Sequence, residues 1–141
     1  MEGEGFKVGP FVRRSVEKRL RMNAPYLSRW SDAMVIMSYP QNAPQSLHLS
    51  LELMDSIWHH AGCKSTDFNW YTKRLSLLAI YKSTELAMMN DKSEDFAETW
   101  SFLDRRLADQ QSLATLPTPE DAAKVASAMG TTLQAFLGLK R

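Results

Sequence analysis

Apolar residues recur at every third or fourth position along most of the chain, the spacing that places them on one face of a helix. The alternation of single apolar and polar residues that marks a half-buried strand is missing. Breaks that contain proline or glycine divide this pattern into segments. Six helices are predicted, over about residues 11–22, 25–37, 44–61, 67–90, 91–115 and 119–138. The sequence therefore predicts an all-α helical bundle.

The predicted helix over residues 67–90 has apolar side chains on nearly all sides, more than one buried stripe requires. Such a helix lies in the middle of a bundle or exposes a patch to a partner. Eight Met, four Trp, four Tyr and six Phe suit an adaptable interior that receives a flexible apolar ligand. An ordinary methionine-filled core is the alternative. The third and fourth helices are predicted to enclose an apolar cavity lined by Leu53, Leu75, Leu78, Tyr81 and Met88.

Two adjacent aromatic residues, Trp70 and Tyr71, stand near the start of this fourth helix. Successive residues of a helix are turned by about 100°, so the two side chains cannot both point into one core. At least one of them is therefore expected at a surface or groove, with Ile57 of the third helix nearby.

The last predicted helix carries few charged residues. Its apolar side includes Val125, Met129, Leu133, Phe136 and Leu137. A Leu-Pro break at residues 116–117 separates it from the preceding helix. The chain thus divides into a helical domain, residues 1–115, and a linker with an amphipathic helix, residues 116–141. That helix can pack on its own domain, on a partner subunit or in the head-group region of a membrane.

The formal net charge of +1 conceals an uneven distribution of charge. Residues 1–30 carry seven basic and three acidic residues, whereas residues 91–110 carry three basic and six acidic residues. The basic segment suits phosphate, on nucleic acid or on anionic lipid, or else forms a solvated helix face. No helix-turn-helix recognition element follows it, so a nucleic-acid partner is not expected.

The best local arrangement for catalysis or metal binding is the pair His59 and His60, followed by Cys63 and Asp67. His60 and Cys63 could reach one metal ion, but zinc requires three or four protein ligands. No glycine-rich phosphate loop, nucleophile elbow or di-iron motif occurs in the sequence. We therefore expect neither a metal site nor an enzyme. Because Cys63 is the single cysteine, no intrachain disulfide can form.

Several segments together resemble one known family, the ninth protein of the eukaryotic coenzyme Q series, a mitochondrial lipid-binding accessory factor of ubiquinone biosynthesis. The segments that carry the resemblance are Val16–Met22, Pro40–Asn42, Ile57–Arg74, Ile80–Leu86 and Asp95–Trp100. They cover about residues 11–110. The string from Ser65 to Arg74 is the most specific part.

The resemblance implies a fold like the ligand-binding half of the tetracycline-repressor family, a homodimer and a hydrophobic pocket. The pocket would hold lipid, a ubiquinone intermediate or a phospholipid, in place of a cofactor. Such proteins are not enzymes but present isoprenoid quinone intermediates to the di-iron demethoxyubiquinone hydroxylase, on the matrix side of the inner mitochondrial membrane. The docking patch would include Trp70 and Tyr71, with Ile57 nearby. The helix over residues 119–138 resembles a C-terminal amphipathic helix that binds the membrane.

The chain departs from the family pattern in two ways. Members usually carry a further N-terminal helical region shaped like a repressor's DNA-binding head, and this chain begins too late to contain it. No presequence is recognisable in its acidic, glycine-rich first residues. Cys63 stands where an acidic residue is expected, which changes the charge of the loop that precedes the predicted docking patch at Trp70 and Tyr71. The alternative function is that of a structural subunit in an inner-membrane respiratory complex.

Overall fold

A computed structural model describes residues 8–62 and 68–113, with side chains over residues 8–62 and 71–110. Every regular element within these residues is helical. The helices are α1 (Val8–Arg21), α2 (Leu27–Ser38), α3 (Ala43–His60), α4 (Phe68–Asn90) and α5 (Ala97–Leu113), with short 3₁₀ turns at Ala24–Tyr26 and Glu94–Phe96. The prediction of an all-α bundle is confirmed. The predicted helix over residues 119–138 lies outside the described residues.

Helix α1 packs through one stripe of side chains spaced four residues apart. Val12, Val16 and Leu20 are at most 2% exposed. The helix begins at Val8, three residues before the predicted start, and Pro10 lies in its first turn. A proline fits there because the first four amide groups of a helix have no partner within the helix.

Helix α2 is the most weakly packed helix of the bundle. The sequence predicts one helix from Pro25 onward, but residues 24–26 form a 3₁₀ turn and Tyr26 (φ −108°, ψ 4°) separates it from α2. Tyr26 is 65% exposed, whereas Trp30, four residues further on, is partly buried. The structure describes all twelve residues of α2, and none of them is buried.

Helices α3 and α4 form an antiparallel pair that supplies much of the core. Trp58 Nε1–H donates to the carbonyl oxygen of Lys73 (3.1 Å), and Arg74 pairs with Asp55 (2.6 Å). Gly62, at φ +82°, follows the end of α3 and confirms the predicted stop. Among the side chains that the structure describes, the buried apolar residues of the two helices are Met54, Ile57, Trp58, Leu77, Leu78, Ile80, Tyr81 and Met88.

The turn between α4 and α5 is fixed by side-chain hydrogen bonds. Asp91 Oδ1 accepts from the backbone N–H (2.7 Å) and Oγ (2.5 Å) of Ser93, and Oδ2 accepts from the backbone N–H (2.9 Å) and Oγ1 (2.6 Å) of Thr99. Asp95 and Phe96 adopt left-handed φ values of 52° and 59°. The helix predicted from residue 91 therefore begins only at Ala97, after this turn.

Ion pairs join α1 to α5 along the outside of the bundle. Arg13 pairs with Asp104 (2.8 Å) and Arg21 pairs with Asp95 (2.8 Å), so the two helices run antiparallel. Glu17 lies between the two arginines and pairs with both. The Arg21 guanidinium also lies 4.7 Å from the centre of the Trp100 ring. These contacts place the core between α1, α3, α4 and α5.

Candidate functional site

The residues predicted to line an apolar cavity do not all lie in the interior. Leu78, Tyr81 and Met88 of α4 are buried, at 4%, 4% and 1% exposure. Leu53 of α3 is partly buried and packs against the same core. Leu75 is 52% exposed, so it lies on the surface of α4 and not within the bundle. A helix with apolar residues all round has more of them than its neighbours cover, and Leu75 is one that stays uncovered.

Beside these apolar residues lies a buried carboxylate that the sequence analysis missed. Glu85 of α4 is 2% exposed. Its Oε1 accepts hydrogen bonds from Trp30 Nε1–H (3.0 Å) and Asn23 Nδ2–H (3.4 Å), and its Oε2 accepts from Lys82 Nζ (3.2 Å). Because a buried charge requires partners, these donors hold the start of α2 against α4. The signal available in the sequence was that Glu85, four positions after Tyr81, is the single acidic residue of α4.

Tyr81 lies one helical turn before this carboxylate. Burial, together with the negative charge of Glu85, raises the pKa of Tyr81 to about 12, against the opposing effects of Arg19 and a hydrogen bond with Asn23. The phenol therefore keeps its proton at neutral pH and remains a hydrogen-bond donor. The interior of the bundle thus combines apolar side chains with buried polar groups around Glu85, among them Asn23 and the Tyr81 hydroxyl, a combination able to orient an amphipathic ligand.

The predicted partner patch is divided between surface and core. Tyr71 is 62% exposed, and Leu75 lies four residues further along on the same side of α4. Together they form an exposed apolar stripe, called here the Tyr71–Leu75 stripe. Ile57 is only 7% exposed and belongs to the core, so its side chain is not part of that surface. Trp70 lies in α4, and its side chain is not among the described ones.

The histidines at the end of α3 do not gather metal ligands. His60 Nδ1 lies 2.7 Å from the carbonyl oxygen of Ser56, and the His59 and His60 rings meet edge to face at 5.6 Å. Among the described residues, no three His, Cys, Asp or Glu side chains come together as a metal site would require. Cys63 and Asp67 lie outside the described residues.

A groove of about 450 Å³ opens on the surface of α5, lined by Ala97, Glu98, Ser101 and Arg105. Three of these four lining residues are charged or polar, so the groove does not suit an isoprenoid tail. It includes none of the five predicted cavity residues.

The predicted membrane-facing side chains lie beyond the described part of the chain. They are Val125, Met129, Leu133, Phe136 and Leu137. Within residues 8–62 and 68–113, no helix has both the length and the apolar character needed to cross a membrane.

These features define the class of the protein as an all-α bundle with a mostly apolar interior and an exposed aromatic stripe on its central helix. The chain belongs to the COQ9 family, whose model matches residues 43–114. The match includes α3, α4, α5 and the Tyr71–Leu75 stripe. It confirms the resemblance found in the sequence.

Curated relatives extend the match towards α1. The rat protein named "Ubiquinone biosynthesis protein COQ9, mitochondrial" is 49% identical over 112 residues, which are 79% of this chain and 36% of the relative. The human protein of the same name is 48% identical over the same share of this chain and 35% of its own length. The Xenopus tropicalis protein is 41% identical over 91% of this chain and 39% of its own length. The chain thus spans little more than a third of these relatives.

Proposed function

We propose that this chain acts in mitochondrial ubiquinone biosynthesis as a non-enzymatic lipid-binding protein. In this role it presents isoprenoid quinone intermediates to demethoxyubiquinone hydroxylase on the matrix side of the inner membrane, as a homodimer. The observation that carries the proposal is the family match over residues 43–114, together with relatives named for ubiquinone biosynthesis. Further support comes from the apolar interior and exposed aromatic stripe of the bundle, and from the few charges in the sequence of residues 119–138.

Lipid binding is supported by how unevenly the interior is enclosed. On one side, α1 and α5 bury core residues and are joined by ion pairs. On the other side, α2 buries none of its residues and is held to α4 through the Trp30–Glu85 hydrogen bond. A ligand that enters beside Tyr81 and Met88 therefore displaces α2 at the smallest loss of packing. The Tyr81 hydroxyl then offers a donor for a polar head group.

Partner docking is supported by the Tyr71–Leu75 stripe. Exposed aromatic residues are enriched where one protein binds another, because a rigid ring buries a large area with little loss of side-chain entropy. Below the stripe, the Asp55–Arg74 pair and the Trp58–Lys73 hydrogen bond fix α4 against α3. The stripe is thus presented on a rigid support.

Membrane attachment is assigned in this proposal to residues 119–138. The five apolar residues named for that helix are worth roughly 1.5–3 kcal/mol each when fully buried, so half-burial of all five gives about 4–8 kcal/mol. That range suffices for reversible binding. Lys124, Lys140 and Arg141 are nearly offset by Glu120 and Asp121, so this attachment depends little on salt or anionic lipid.

Two matched substitutions test partner docking. Tyr71→Lys places a charge in the stripe, whereas Tyr39→Lys makes the same change at the end of α2, where Tyr39 is 45% exposed. We expect the first variant to lower the affinity for purified demethoxyubiquinone hydroxylase by tenfold or more and the second to leave it within about twofold. Equal affinities, with both proteins folded by circular dichroism, would remove the docking role from Tyr71.

Lipid extraction of the purified chain tests the binding role. We expect ubiquinone intermediates or phospholipid in the extract, in amounts comparable with the protein. No lipid, together with recovery of the chain in a respiratory inner-membrane complex, would contradict the carrier role and support the structural-subunit alternative. Deleting residues 117–141 should abolish flotation with phosphatidylcholine vesicles while leaving Tm nearly unchanged. A large fall in Tm with unaltered flotation would place that helix in the core instead.

A further inference from the structure

Helix α1 carries four stripes of side chains, each with a spacing of four residues. The stripe of Val12, Val16 and Leu20 is buried in the core. A stripe offset from it by two residues is turned by about 200°, so it faces directly away from the bundle. That outward stripe consists of Arg14, Lys18 and Met22. All three side chains are exposed.

The basic residues of α1 are not equivalent, because the neighbouring stripe is already neutralised. Arg13 and Arg21 lie on the flank that contacts α5, where they pair with Asp104 and Asp95, and Glu17 pairs with both. This flank therefore has no free positive charge. The sequence alone does not separate these arginines from Arg14 and Lys18.

The outward stripe, in contrast, keeps its charge. Neither Arg14 nor Lys18 has an ion-pair partner among the described residues. Met22, directly after the end of α1, and Tyr26, in the 3₁₀ turn that follows, are exposed apolar side chains, at 62% and 65% exposure. The next cation, Arg29 of α2, is 84% exposed and lies 3.9 Å from Asp32. Two cations without an ion-pair partner among the described residues are thus followed along the chain by two exposed apolar side chains, Met22 and Tyr26, called here the apolar corner.

We propose that this surface, Arg14, Lys18, Met22 and Tyr26, binds the head-group region of a bilayer that contains anionic lipid. The cations suit lipid phosphates. Tyr26 and Met22 suit the boundary between head groups and acyl chains, where amphipathic rings and apolar side chains are stable. Nucleic acid is the weaker fit, because two free cations neutralise few phosphates and the apolar corner gains nothing from a phosphate backbone.

This contact is independent of the proposed membrane role of residues 119–138. Those residues have nearly balanced charges, so their attachment is insensitive to anionic lipid. The α1 surface adds a component that requires anionic lipid. The dependence on vesicle composition therefore separates the two contacts within the intact chain.

The test is vesicle flotation of the full chain at low salt. One set of vesicles is pure phosphatidylcholine and the other is equal parts phosphatidylcholine and phosphatidylglycerol. Each cation near an anionic surface contributes about fivefold to binding, about 1 kcal/mol. Replacing both, as Arg14→Gln with Lys18→Gln, should lower binding to the anionic vesicles about 25-fold and leave binding to phosphatidylcholine unchanged. The matched control is Arg105→Gln with Arg106→Gln on α5, which should change neither.

Three further results decide the assignment. Met22→Ser with Tyr26→Ser should weaken binding to the anionic vesicles, and unchanged binding would remove the apolar corner from the contact. Equal binding of the wild-type chain to both vesicle types would overturn the proposal while leaving the C-terminal attachment intact. If the Arg14 and Lys18 variant lost affinity for a short DNA duplex but kept its affinity for anionic vesicles, the surface would be a nucleic-acid site instead. Unchanged far-ultraviolet circular dichroism establishes that each variant is folded.

Discussion

The hairpins α2–α3 and α4–α5 are both built from helices rich in apolar residues, yet they differ in how firmly they are held. In α4–α5, Leu77, Met88 and Leu103 are at most 1% exposed. In α2–α3, Val35, Ile36, Leu47 and Leu49 are all more than half exposed. Apolar content alone therefore does not decide which helices form the core.

Polar contacts at the turns account for much of the difference. The α4–α5 turn is bound by Asp91 on the inside and by Arg21 of α1 on the outside. Within residues 8–62 and 68–113, the α2–α3 turn is held by local bonds, such as Asn42 Nδ2–H to the carbonyl oxygen of Ile36 (2.9 Å). No described residue of α1 or α5 forms a hydrogen bond with that turn. The α2–α3 hairpin is thus free to open while the α4–α5 hairpin stays closed.

The comparison predicts its largest effect for one substitution made in each hairpin. Leu103→Ala removes a fully buried side chain from α5 and should lower the free energy of unfolding by about 2–5 kcal/mol. Leu47→Ala removes a side chain that is 51% exposed on α3 and should lower it by no more than about 0.5 kcal/mol. Urea denaturation measures both. Similar losses would mean that Leu47 is covered in solution.

A smaller effect is expected where α2 is attached to the core. Trp30→Phe removes the N–H donor to the buried carboxylate of Glu85 and should cost about 1.5–3 kcal/mol. Trp100→Phe removes a bond to the neutral carbonyl of Asp95 and should cost about 0.5–1.5 kcal/mol. Hydrogen exchange should accelerate in α2 for the first variant. Acceleration spread evenly over all helices would contradict a local role for the Trp30–Glu85 bond.

The smallest predicted effect is a dependence of the free energy of unfolding on pH, which arises in the α4–α5 turn. Burial opposes ionisation of Asp91, but its hydrogen bonds from Ser93 and Thr99 are stronger and lower the pKa to about 2, from an ordinary 3.8. Asp91 therefore stabilises the fold above about pH 4, and this contribution is lost as the pH falls towards 2. Asp91→Asn should remove that part of the fall in the free energy of unfolding between pH 4 and 2, as measured by urea denaturation.

A control for this effect lies in the other hairpin. Asp32 of α2 is 73% exposed and pairs only weakly with Arg29 at 3.9 Å. Asp32→Asn should leave the pH dependence between pH 4 and 2 unchanged. If Asp32→Asn changed this pH dependence as much as Asp91→Asn does, the loss of stability at low pH would reflect overall charge and not the α4–α5 turn.

The sequence predicted well those helices in which a single periodic stripe of apolar residues packs into the core. In α1, Val12, Val16 and Leu20 recur at a spacing of four residues and are all buried, and α3 ends at His60, close to the predicted end at residue 61. The start of α5 was wrong by six residues. Acidic residues near 91–95 favour a helix N-terminus, but here Asp91 instead binds the turn and Asp95 pairs with Arg21 across the bundle. Such long-range partners leave no local pattern.

The candidate site was predicted less completely, because its apolar residues outnumber the positions that neighbours cover. Tyr71 lies at the surface, in agreement with the expectation that at least one of Trp70 and Tyr71 does so. Ile57 and Leu75 exchanged their expected places, one being buried and the other exposed. Which side of α4 is covered depends on where α2 and α3 pack. Glu85 was missed because its donors, Trp30 and Asn23, are far from it in the sequence.

The antiparallel register of α1 and α5 has a consequence for engineering the chain. The pairs Arg13–Asp104 and Arg21–Asp95 place Val8 level with residue 109 or so, and Leu113 then lies about 6 Å past it. The first and last described residues therefore leave the bundle at one end, on neighbouring helices. A circular permutant that joins them through a short flexible linker and opens the chain between Tyr39 and Asn42 would retain all five helices. Reporter domains attached at residues 8 and 113 would likewise share that end and lie away from the α4–α5 turn.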